Sequence, residues 1–111
     1  MPASALVLLI MPGKLDAWRE LMSQCTDENP DYVDSRQRLG ITREQVFLHG
    51  NDGEEFVIYY IEAENLDEAM IGMGVSLDPF DHWFRLQLKD IHDVILADPP
   101  PWPEQALDYQ D

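Results

Sequence analysis

An unbroken apolar run from Ala5 to Met11, and a second from Phe56 to Ile61, constrain this chain more than any other feature. Strand side chains alternate between faces, so a strand with one wet face alternates apolar and polar residues. These two runs are apolar at both parities, and each predicts a strand covered on both sides. Helices supply one cover. A bare second face of that size is uncommon on a soluble monomer, and the economical cover is a second copy, sheet against sheet.

The remaining elements follow from punctuation and period. Pro12-Gly13 ends the first strand, and Leu15, Trp18, Leu21, Met22 and Cys25 recur at helical spacing. Asn29-Pro30 interrupts that helix. Asp31 to Leu39 continues as a second piece with Tyr32, Val33, Arg36 and Leu39 in line, capped by Gly40. Glu44 to His49 and Glu54 to Ala63 read as strands joined across Gly50-Asn51-Asp52-Gly53, a hairpin signal rich in residues that tolerate positive φ. Asn65 with Glu68 makes a capping box for a short helix that Gly72 and Gly74 weaken and end. Asp78-Pro79 opens another, with Phe80, Phe84, Leu88 and Ile91 as its apolar stripe. Val94 to Ala97 is a short candidate strand. Pro99, Pro100, Pro101 and Pro103 then enforce an extended segment. The order predicts an α+β fold, a ferredoxin-like βαββαβ sandwich with an antiparallel sheet over residues 1–97. A proline-rich acidic tail occupies 98–111.

Charge excludes several partners. Acidic residues number 22 against 7 basic ones in 111 residues, a formal charge of −15. Nucleic acid and anionic membrane surfaces require positive patches and are not expected partners. The lone cysteine permits no internal disulfide and fits a reducing cytoplasm; on the apolar face of its helix, Cys25 is expected as a structural thiol. The N-terminal apolar run has no basic flank and is too short to span a bilayer.

Element order, the two-sided strands and the Pro12-Gly13 turn, spanning roughly Ala5 to Ala97, resemble the dimeric α/β-barrel superfamily, in which two such sheets face each other. More narrowly, Pro12-Gly13-Lys14 and the stretch Ser76-Leu77-Asp78-Pro79-Phe80-Asp81-His82-Trp83 resemble an uncharacterised family of small bacterial proteins of that class. The superfamily includes heme- and quinone-type monooxygenases, sugar mutarotases, decarboxylating and dehalogenating enzymes, and members without known activity. The resemblance implies a homodimer and a pocket between sheet and helices, not a substrate.

On the pocket-forming elements lie His49, Tyr59, Tyr60, His82 and Trp83. An imidazole beside a phenol in an apolar cleft can shuttle a proton. His82 and Tyr60 are therefore the expected catalytic pair, with His49, Tyr59 and Trp83 lining the pocket, His82 at its entrance and Trp83 as a wall. The alternative for each is structural: His49 exposed at a strand end, Trp83 filling the core. Tyr59 and Tyr60 point to opposite faces, so at most one lines a given pocket. His82 and His92 stand ten residues apart, about 1000° of helical rotation or about 280° net, so they do not share a face. Neither a metal site nor a bound cofactor is expected. Gly72-Met73-Gly74 lacks the third glycine of a dinucleotide loop. The sequence names no reaction: the expectation is a protein of uncharacterised function with a small-molecule pocket between sheet and helices. Its first reading is a small cofactor-independent enzyme of the monooxygenase or mutarotase-like class, or a degenerate relative of one, acting on a hydrophobic or ring-shaped metabolite. Its alternatives are a non-catalytic ligand binder with the same cleft, and an interaction module using the acidic surface and proline-rich tail.

Overall fold

The computed structural model describes residues 2–51 and 53–111. Its elements run β1 (Ala3–Leu9), α1 (Leu15–Gln24), α2 (Pro30–Arg38), β2 (Ile41–Asn51), β3 (Glu54–Ala63), α3 (Leu66–Val75) and α4 (Pro79–His92). The class is α+β: a three-stranded antiparallel sheet ordered β1-β3-β2, with helices packed on one face. Among the described residues no helix is long and apolar enough to cross a membrane.

The local signals act as physical chemistry requires. The Asn29 side chain accepts from the Asp31 N–H and Pro30 takes the first helical position, where a missing donor costs nothing. Asn65 accepts from the Glu68 N–H at 3.0 Å, and Asp78 accepts from the Phe80 N–H at 3.0 Å. At the hairpin, Gly50 and Gly53 have φ of 113° and 87°. A Cβ on Gly50 would lie 2.1 Å from the Glu54 carbonyl oxygen, so only glycine fits there. The Asp52 part of the turn lies outside the described residues.

Three elements differ from expectation. Strand β2 runs from Ile41 to Asn51 rather than from Glu44 to His49. Helix α3 continues through Gly72 and Gly74 to Val75. Gly74 serves close packing: a Cβ there would sit 2.5 Å from the Leu96 carbonyl oxygen. The segment Val94 to Ala97 is not a strand. Asp93 stops α4 in the left-handed conformation at φ 56°, Leu96 turns inward against Gly74, and the Asp98 N–H closes a turn on the Ile95 carbonyl at 3.0 Å. Docking on α3 thus replaces pairing with the sheet.

Register sorts the sheet's two faces. Leu6, Ile10, Val57 and Tyr59 enter the core with Trp18, Leu21, Met73, Phe84, Leu88, Ile91 and Leu96 from the helices and the loop after α4. The opposite face carries the cross-strand rows Val7–Ile58–Phe47 and Leu9–Phe56–His49. It is bare: Val7 is 56% exposed and Phe47 51%. The two-sided apolar reading of β1 and β3 is real, and one of those sides faces outward.

Candidate functional site

Between the sheet and helices α1, α2 and α4 lies a cavity of about 360 Å3. Trp18, Met22, Cys25, Val46 and Phe84 form apolar walls, while Tyr32, Arg36, Glu44 and Tyr59 bring polar groups to it. Arg36 and Glu44 occupy positions where pattern predicts apolar side chains. Arg36 stands in the inward line of α2, and Glu44 shares inward parity with Val46 on β2.

Their charges are paired and wrapped. Arg36 Nε donates to Glu44 Oε1 at 3.0 Å, and the Tyr32 hydroxyl donates to the same oxygen. The guanidinium lies 4.7 Å from the Tyr32 ring centre and 4.6 Å from that of Phe84, held between two aromatic faces. Burial works against the Arg36 charge, but Glu44 outweighs it and holds the proton on more firmly than usual. Arg36 Nη1 also donates to Ser35 Oγ at 3.0 Å, and Ser35 donates to the Asp81 carboxylate. Asp81, fully buried, accepts further from Ser76 at 2.6 Å and Arg38 at 2.9 Å. Burial alone would raise the Asp81 pKa; these donors reverse that and hold it below the ordinary carboxylate value. The network ties α2, β2 and the start of α4 together.

A second chain of bonds runs beneath the sheet. Trp18 Nε1 donates to the Tyr59 hydroxyl at 3.3 Å, and that hydroxyl lies 2.7 Å from His92 Nε2. His92 Nδ1 lies 2.9 Å from the Leu9 carbonyl oxygen, which can only accept. Nδ1 therefore carries the hydrogen, Nε2 is bare, and Tyr59 donates to it. Burial lowers the His92 pKa and keeps the ring neutral. Burial raises that of Tyr59. Burial also pushes the Cys25 thiol up to about 12, with Arg36 opposing in part, so it is no nucleophile at neutral pH.

The structure does not assemble the expected catalytic pair. His82 is exposed on α4, with Nδ1 3.5 Å from the Arg85 guanidinium. Tyr60 lies on the opposite sheet face, donating to Glu62 at 2.7 Å. Helical phase explains the separation: α4 turns Asp81, Phe84, Leu88, Ile91 and His92 inward and leaves His82 outside. His49 is exposed on the bare face beside Phe56. Trp83 packs on Phe80, ring centres 5.5 Å apart, and walls an open groove with Asp31, Asp34 and Asp78 rather than a cleft against β3. Of the expected pocket residues, Tyr59 alone lines the cavity. Among the described residues no group of three His, Cys, Asp or Glu is placed to hold a metal.

A family model described as a family of unknown function, DUF6176, matches residues 6–91, a span that takes in every residue lining the cavity. Comparison with curated proteins and with solved structures returns no match.

Proposed function

We propose that this chain, which belongs to the DUF6176 family of unknown function, binds a small ring-shaped molecule in the cavity beside the Arg36–Glu44 pair. One observation carries the reading: aromatic and aliphatic walls converge on a few fixed polar groups, as in ligand pockets generally. The polar end is an ion pair of no net charge in a chain of formal charge −15, which favours a neutral ligand with one hydrogen-bonding group over an anion. Binding is better supported than turnover. The Cys25 thiol is held protonated, and both nitrogens of His92 are already engaged. In this reading the chain has the ferredoxin-like arrangement of the dimeric α/β barrels, and the bare sheet face with Val7, Phe47 and Phe56 meets a second copy.

The test uses 1-naphthol, a neutral fused ring with one hydroxyl. Saturable binding should shift the Trp18 indole N–H resonance and raise the melting temperature. Val46→Trp, which fills the cavity, should abolish both. A Trp18 resonance that stays put up to the solubility limit, with soaked crystals showing only water in the cavity, overturns the proposal.

A further inference from the structure

Beyond the Arg36–Tyr59–Phe84 wall lies a second compartment, lined by Leu6, Leu8, Ile61, Ala69, Met70 and Met73. Its remaining volume is only about 50 Å3, and Trp102 is among the residues that line it. Trp102 comes from the tail, packs half-buried against the core, and is flanked by exposed Pro101 and Pro103.

The tail is built to deliver that one side chain. Leu96 is seated against the bare Cα of Gly74, which sets where the segment leaves the body. Pro99, Pro100, Pro101 and Pro103 then stiffen the path and remove backbone donors. Residues 99–111 form neither helix nor strand, and from Glu104 onward every residue is exposed. No ladder holds the strap to the sheet; Trp102 does so through apolar contact.

We propose that Trp102 is a built-in plug, and that the space it covers is a binding site for a neutral apolar molecule of indole size or larger. Arg36, Glu44 and Tyr59 also border it, but the Arg36–Glu44 pair and the Tyr59 bonds to Trp18 and His92 engage their polar groups. The rest of the lining is aliphatic, thioether and aromatic, which offers burial rather than free hydrogen bonds, so ring or chain shape matters more than polar pattern. Ligand and plug compete for one space, and affinity is lowered by the fraction of molecules with the strap closed. The site shares Arg36, Glu44, Tyr59 and Phe84 with the first cavity as a common wall, and its filling does not require a ligand there.

The probe is N-phenyl-1-naphthylamine, uncharged and fluorescent when buried, titrated into the full chain. Trp102→Ala should bind it about tenfold more tightly than wild type if the strap is closed in about nine molecules of ten. Adding Met70→Trp, which refills the compartment, should return the affinity to the wild-type value. Should Trp102→Ala fail to melt in one cooperative transition, Trp102→Leu keeps an apolar contact and carries the same comparison. Equal affinity in wild type and the folded Trp102 variant overturns the proposal. So does a gain that Met70→Trp leaves in place, because the probe then sits elsewhere. Neither result bears on 1-naphthol and Trp18, so the two sites stand or fall separately.

Discussion

Arg36 and Glu44 show what a buried charge requires. Removing one partner strands the other in a site it cannot leave, and Glu44→Ala should cost about 3–5 kcal/mol in urea unfolding. Replacing both, as Arg36→Met with Glu44→Leu, should restore most of that stability, because a matched apolar pair needs no desolvation. The double variant should nonetheless lose 1-naphthol binding, which separates the pair's structural role from its proposed role in recognition. His92 gives the fold a pH dependence. Burial lowers its pKa below 6.5, so around neutrality the unfolded chain binds more protons than the folded one. Its contribution is whole above 6.5 and is lost as pH falls through the folded value. Urea midpoints from roughly pH 7.5 to roughly pH 5 should fall in wild type, and His92→Gln should flatten that fall. An unchanged slope would show that burial does not hold the His92 ring neutral.

At the scale of elements, helix α3 sets propensity against packing. Glycine inside a helix ordinarily costs about 0.5–1 kcal/mol relative to alanine. At Gly72 an added Cβ meets only the end of the Leu39 side chain, at 2.9 Å, which can swing aside. At Gly74 it meets backbone, the Leu96 carbonyl oxygen at 2.5 Å and the Ala97 Cα at 3.1 Å. Thermal unfolding should therefore find Gly72→Ala close to wild type and Gly74→Ala clearly less stable. Equal melting of the two would mean that the loop after α4 is not seated on α3. The same contact explains why Val94 to Ala97, strand-like in sequence, does not extend the sheet.

For the whole molecule, the bare sheet face is the dominant feature. Val7, Leu9, Phe47 and Phe56 present an apolar surface across all three strands, with His49 and Tyr60 among them. The proposed second copy would cover it. Light scattering with size exclusion at micromolar concentration should then give about twice the chain mass, since such interfaces are large and hydrophobic. Phe47→Glu should return it to a single chain, because the carboxylate cannot be desolvated against an apolar partner. A wild-type protein that runs at one chain mass ends the dimer reading.

Caps, hairpin and strand pattern were legible from the sequence because each is decided by neighbours a few residues away. Asn65 meets the Glu68 N–H, Asp78 meets the Phe80 N–H, and strand parity put Tyr59 and Tyr60 on opposite faces. Even the odd Arg36 among apolar neighbours, and Glu44 at inward parity, are visible in the pattern, though their partnership is not. The site needed contacts between distant parts of the chain: Ser35 with Asp81, Trp18 with Tyr59, Tyr59 with His92, Gly74 with Leu96. Periodicity tells which residues turn inward, but not which of them meet there. His82 and Tyr60 stand on pocket-forming elements in the sequence, but the packing of α4 through Phe84, Leu88 and Ile91 leaves them on opposite sides of the fold. Pairing among inward residues depends on how helices and sheet settle together, and only the tertiary structure decides that.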